Sequence, residues 1–141
     1  MDTLIALFGP SSCGKTQSIK MVYNKFIKSK GVKIIEEEIR NDICTIFSYK
    51  EKKIGITSQG DNKGLLEPKL EKFRKEGCNI ILCASRTRGG TCDAIYKLQN
   101  EYEINWVKKS EYFSKNKEEQ ILLNERTANI LLRVIMKAIS K

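Results

Sequence analysis

The chain has 141 residues, 40% of them apolar and 30% charged, so one globular domain with its own core is expected rather than a disordered chain. Lys and Arg number 26 against 17 Asp and Glu, a formal charge of +9, and the absence of histidine excludes imidazole as general base, zinc ligand or pH switch. No apolar run approaches the roughly 18 residues of a membrane span, and none of the five cysteines forms a Cys-x-x-Cys pair, which argues against structural zinc.

Leu4–Phe8 is a continuous apolar run closed by Gly9-Pro10, the pattern of a strand buried on both faces. The period then changes. From Gly14 onward, Ile19, Val22, Tyr23, Phe26 and Ile27 fall on one helical face, with Gly31 as the stop. Ile34–Ile39 carries three glutamates and reads as a helix end or a strand. Asp42–Tyr49 and Ile54–Thr57 are strands whose link is so short that the pair is expected to be antiparallel. After the polar loop Ser58–Gly64, Leu66, Leu70 and Phe73 mark a helix with Pro68 in its first turn and Gly77 at its end. Asn79–Ala84 is a second continuous apolar strand, Ser85–Thr91 a loop, Asp93–Asn100 a short helix and Ile104–Val107 a short strand. In the last stretch Ile121, Leu122, Glu125, Ala128, Leu132, Ile135 and Ile139 keep helical spacing, with Leu123, Ile130 and Val134 as a second stripe. A helix apolar over so wide an arc is either well buried or packed on a partner, a second copy of the chain included. Strands alternating with helices give an α/β fold: a three-layer sandwich with a mostly parallel central sheet of about five strands, one of them antiparallel.

The strongest motif is Gly9-Pro10-Ser11-Ser12-Cys13-Gly14-Lys15-Thr16, which fits G-x-x-x-x-G-K-[ST] between a buried strand and an amphipathic helix. Its residue types suit an anion. The glycines let the backbone curl with its amides inward, and the helix that follows adds a positive N-terminal dipole. Lys15 can reach β- and γ-phosphates, and the Thr16 hydroxyl can hold Mg²⁺. Cys13 is either a small filler or a thiol activated at a helix N-terminus.

On these residues the chain resembles the P-loop NTPase superfamily, which implies a parallel sheet with the phosphate loop between first strand and first helix. That resemblance makes Gly9 to Thr16 the nucleotide cradle and Mg²⁺ the expected cofactor. The superfamily's second acidic motif, a carboxylate ending an apolar strand, has no direct counterpart. Ile54–Thr57 leads into Ser58-Gln59-Gly60-Asp61, which makes Asp61 the nearest carboxylate for metal, or else a turn aspartate that stabilises the loop. Gln59 could orient an attacking water, or be a plain loop amide. No Asn/Thr-Lys-x-Asp guanine motif is present, so ATP is expected ahead of GTP.

Arg86 and Arg88 follow a buried strand, where α/β sheets place ligands, and precede the flexible Gly89-Gly90. They read as a phosphate clamp or an arginine finger in cis, or as a basic surface turn. Phosphoryl transfer would also need a base, for which Asp42, Glu36 to Glu38 and Asp61 are candidates with none privileged. Trp106, Lys108, Lys109, Tyr112 and Phe113 form an aromatic–basic cluster after the last strand, where the superfamily commonly places the nucleobase; Trp106 could equally be core. The expected activity is Mg²⁺-dependent nucleoside triphosphate binding with hydrolysis or phosphoryl transfer. A nucleotide switch acting on a protein partner through Ser58–Gly64 is the alternative, followed by a nucleic-acid-binding role that the dispersed lysines do not favour. The Met1–Phe8 start lacks a basic signal region, and with an odd cysteine count the chain is expected in the cytoplasm.

Overall fold

The computed structural model describes residues 1–28, 32–39 and 41–141, with side chains for 1–26 and 41–141. Its elements follow in the order β1 (Asp2–Phe8), α1 (Lys15–Lys28), β2 (Val32–Ile39), β3 (Asp42–Tyr49), β4 (Lys52–Thr57), α2 (Lys63–Lys75), β5 (Ile80–Ser85), α3 (Gly90–Tyr96), β6 (Tyr102–Lys108) and α4 (Lys117–Ile139). The expected helix stop at Gly31 lies outside the described residues, as do the side chains of Ile27, Lys28, Lys33 and Glu36 to Glu38.

The continuous apolar runs are central strands because both of their faces are covered. In β1, Ile5 and Leu7 join one core with Ile19, Val22 and Phe26 of α1 and Ala128, Leu131 and Ile135 of α4. Leu4 and Ala6 join a second core with Leu66, Leu70 and Phe73 of α2 and Ala94 and Ile95 of α3. β5 splits the same way, with Ile80, Leu82 and Ala84 to the first core and Ile81 and Cys83 to the second. The period of two along each strand thus feeds two helical layers.

The strands form one six-stranded sheet in the order β2-β3-β4-β5-β1-β6. β4, β5, β1 and β6 are parallel neighbours, whereas β3 runs antiparallel to both β2 and β4. The fold is therefore α/β with a mostly parallel sheet and one reversed strand. The strand beyond the five expected is β2, where successive glutamates hide the alternation; its position at the sheet edge demands little of it. Because parallel strands end on one side, the loops after β1, β4, β5 and β6 share one edge of the sheet. The reversed β3 begins at that same edge, with Asp42 as its first residue.

Two boundaries shift for local reasons. The Asn62 side chain accepts a hydrogen bond from Leu65 N and caps α2 at Lys63, so Pro68 stands in the second turn and not the first. The short helix α3 starts at Gly90, three residues before the expected Asp93. In α4 the buried stripe is Asn124, Thr127, Ala128, Leu131, Ile135 and Ala138. Ile121, Leu122, Ile130 and Met136 stay exposed, so the wide apolar arc is covered on one side only. No helix among the described residues is long and apolar enough to cross a membrane.

Candidate functional site

β1 lies between β5 and β6, so the chain crosses from one side of it to the other, and the crevice beyond its carboxyl end is where open α/β sheets bind ligands. The Gly9–Thr16 segment fills that place. Gly9 N donates to Ser85 O at 3.3 Å, which fastens the loop's start to the end of β5. The chain then turns through positive φ at Ser12 (57°) and Gly14 (96°) before α1 begins at Lys15. Gly14 is required twice over. Its φ disfavours any side chain, and a Cβ there would lie 2.2 Å from Tyr112 Oη and 2.3 Å from Asn124 Oδ1. The first turn of α1 holds no acidic residue, so the N–H groups at its start face no carboxylate of their own turn.

Lys15 is only 6% exposed. Its Nζ donates to Gly9 O at 2.5 Å and to Ser85 O at 3.0 Å. Burial pushes the ammonium below the usual lysine range; nearby Cys13 and Asp61 oppose that shift and Arg86 adds to it. Asp61, from the loop after β4, shares a cavity wall with Lys15, and Arg86, from the loop after β5, is bonded to the Asp61 carbonyl.

Ser12, Gly14, Lys15, Thr16, Gln17, Asp61 and Tyr112 line a cavity of about 340 Å³. A larger one, about 490 Å³, opens near the strand starts around Asp2, Asn79 and Lys141, away from all of these groups. Convergent chemistry rather than size makes the smaller cavity the candidate site. Cys13 is buried inside the loop, while Pro10 is half-buried and Ser11 and Ser12 are exposed.

The other expected residues separate. Arg86 Nε donates to Asp61 O at 2.6 Å, joining the two loops at the edge of the cavity. Its backbone N donates to Thr91 Oγ1 at 3.1 Å, which pins the base of the β5–α3 loop. Arg88 is exposed and makes no hydrogen bond or ion pair among the described residues. Gln59 is 7% exposed, and its Oε1 has no hydrogen-bond partner among the described residues. Gly60, next to it, is pressed against β5: a Cβ there would lie 2.2 Å from Ala84 O.

The expected aromatic–basic cluster divides. The Trp106 ring packs edge-on to Phe8 at 5.9 Å and against Tyr96 at 5.4 Å, in the layer of α2 and α3. Phe113 is exposed. Lys109 is buried, with Nζ donating to Ser110 O at 3.2 Å and lying 4.9 Å from the centre of the Tyr112 ring. Burial lowers its pKa, and nearby Cys13 opposes this. Only Tyr112 of the cluster reaches the cavity.

Three contributors carry no motif of their own. Asn124 of α4 donates through Nδ2 to Tyr112 Oη at 2.9 Å, and Ser18 Oγ donates to Gly14 O at 2.8 Å, so α4 and α1 brace the turn. Asp42 accepts from Thr16 Oγ1 at 3.5 Å and from Ser58 Oγ at 2.7 Å. The signal for Asn124 is a polar residue on the buried stripe of a helix; Ser58 and Asp42 become neighbours only once β3 and β4 pair. No protein-family model, curated protein or solved structure matches the chain.

Proposed function

We propose that the chain binds a nucleoside triphosphate with Mg²⁺, ATP ahead of GTP, and hydrolyses it or transfers its terminal phosphoryl group. The observation that carries this reading is Lys15, a nearly sealed ammonium held by two backbone carbonyls at the wall of a cavity. An entering phosphate offers that ammonium charge-assisted hydrogen bonds, roughly twice as strong as neutral ones, in exchange for carbonyl contacts. The N–H groups at the start of α1 and the turn through Ser12 and Gly14 supply the rest of an anion cradle.

The remaining residues take roles around that anchor. Arg86, tethered at the cavity edge, meets charge that develops on the γ-phosphate oxygens. Arg88, exposed on the same loop, is the second candidate for that role. Gln59 carries a buried acceptor with no partner, which suits it to hold a water for attack. Thr16 and a carboxylate at the loop, Asp61 or Asp42, are oxygen donors of the kind Mg²⁺ takes, and these residues fit such an ion. When bound, Mg²⁺ would supply positive charge that offsets the charge of the phosphates. The free thiols of all five cysteines suit a reducing cytoplasm.

Calorimetric titration of wild type and Lys15→Ala with ATP and GTP, each with Mg²⁺, tests the reading. Loss of one charge-assisted contact to phosphate costs roughly 1.5–3 kcal/mol, at least tenfold in affinity. Equal affinity in the variant would overturn it. Phosphate release, measured with and without RNA or DNA, then separates turnover from simple binding.

A further inference from the structure

We propose that Asp42 supplies the carboxylate of the Mg²⁺ site, with Thr16 as its hydroxyl partner and Ser58 as the residue that holds the carboxylate in position. This rests on the reading of Gly9–Thr16 as a triphosphate cradle. The sheet topology brings the start of β3 to the ligand edge. A parallel strand ending in an acid would supply the carboxylate directly, but β4 ends in Ile56-Thr57 and β5 in Ala84-Ser85. The antiparallel β3 solves the same problem from the other direction, because its first residue, and not its last, stands at the ligand edge.

The local geometry is specific. Ser58 N donates to Ile43 O at 3.0 Å, and Ile43 N donates to Ser58 Oγ at 2.9 Å, so Ser58 is held through both backbone and side chain. Its hydroxyl proton goes to Asp42 Oδ1 at 2.7 Å. That bond orients the carboxylate toward Thr16 Oγ1, 3.5 Å away. Neighbouring oxygens on an octahedral Mg²⁺ lie about 2.9 Å apart, given bonds of about 2.0–2.1 Å. The Thr16–Asp42 separation is within a small side-chain adjustment of that spacing, or of a contact through one metal-bound water. One hydroxyl and one carboxylate are the sparse protein set that Mg²⁺ accepts when phosphates and waters complete its shell. The described residues hold no cluster of three or more acidic, cysteine or histidine side chains that would bind a metal without a nucleotide.

Asp61 sits differently. It lines the cavity beside Lys15, and its carbonyl is held by Arg86 Nε. Among the described residues Asp42 is the carboxylate bonded to Thr16. Asp61 therefore balances the lysine, and Asp42 faces the metal.

The test is the affinity for a non-hydrolysable ATP analogue, measured by calorimetry in excess Mg²⁺ and in EDTA. Wild type is expected to bind at least tenfold tighter with Mg²⁺. Asp42→Asn keeps the acceptor for Ser58 and is expected to match wild type in EDTA while losing most of the Mg²⁺ gain. Asp61→Asn is expected to retain that gain. Ser58→Ala preserves the carboxylate's charge and frees its orientation, so it should need several-fold more Mg²⁺ for half of the gain. Low-temperature Mn²⁺ resonance of the wild-type complex, compared with each variant, reports the ion's shell without turnover. Full Mg²⁺ gain in Asp42→Asn, or in Ser58→Ala should the first variant not fold, overturns the proposal. Lys15→Ala separates the two readings: tight binding in that variant removes the triphosphate cradle itself, whereas weak binding there with a normal Mg²⁺ response in Asp42→Asn removes only the role of Asp42.

Discussion

Lys15 Nζ donates to Ser85 O across 70 residues of sequence, at 3.0 Å, and so joins the first turn of α1 to the end of β5. The ammonium has no carboxylate bonded to it among the described residues. Carbonyl dipoles hold it directly, and the Asp61 charge lies nearby.

Lys15→Met should separate fold from function. An apolar side chain of similar length keeps the buried volume and removes the cost of burying a charge, which often leaves stability neutral or improved. Thermal melts are expected to agree with wild type within a few degrees, while triphosphate affinity falls at least tenfold. A large drop in melting temperature would make Lys15 a structural residue first.

Gly14→Ala should damage both. The new methyl would enter the space of Tyr112 Oη and Asn124 Oδ1 at a φ of 96°. Overpacking of this kind costs about 1–3 kcal/mol, or roughly 3–12 °C in melting temperature at this size. Nucleotide binding is expected to weaken with it, because relief of the clash moves the turn. A melt unchanged within error would contradict the tight packing of α4 on the loop.

The two arginines should differ. Arg86 is already joined to Asp61 O beside the cavity, whereas Arg88 is free among the described residues. Arg86→Ala is expected to lower kcat on the order of 10²-fold with little change in nucleotide affinity, the signature of a group that acts in the transition state. Arg88→Ala is expected to have the smaller effect. Steady-state kinetics paired with equilibrium binding decides this; the reverse order would move the clamp to Arg88.

Alkaline stability should report the buried thiols. Burial pushes Cys78 and Cys83 from 9.0 up to about 12. Above pH 9 the unfolded chain releases these protons and the folded chain retains them, so their contribution is present below pH 9 and is lost as pH rises toward 12. Each thiol contributes a slope of up to about 1.4 kcal/mol per pH unit in that window. Lys15 and Lys109, whose pKa values burial lowers, act in the opposite sense. Comparing wild type with Cys83→Ala isolates the thiol: denaturant melts from pH 9 to 11 should show a flatter decline in the variant. Parallel declines would mean that Cys83 ionises in the folded state.

Local pattern carried much of the fold. The two continuous apolar strands, the antiparallel β3–β4 pair and the amphipathic α1 each have a period that their surroundings reinforce. β2 was ambiguous because an edge strand with successive glutamates shows no clean alternation. In α4, Ile121 and Leu122 have the spacing of core residues but stay exposed, while the polar Asn124 is buried because it braces Gly14 through Tyr112. At the candidate site, Gly9 to Thr16 is legible as a motif because one segment contains it. The Asp42–Ser58–Thr16 contact was not, since it requires three segments to meet at one edge of the sheet. Lys109 belongs to a basic cluster in sequence, but the chain buries it against Tyr112.

A crystal structure with a non-hydrolysable ATP analogue and Mg²⁺ addresses the central claim most directly. The β- and γ-phosphates are expected within the turn Gly9–Thr16, with Lys15 Nζ moved from the carbonyls of Gly9 and Ser85 onto phosphate oxygens and the metal beside Thr16. Phosphates bound elsewhere, with Lys15 still bonded to both carbonyls, would contradict it.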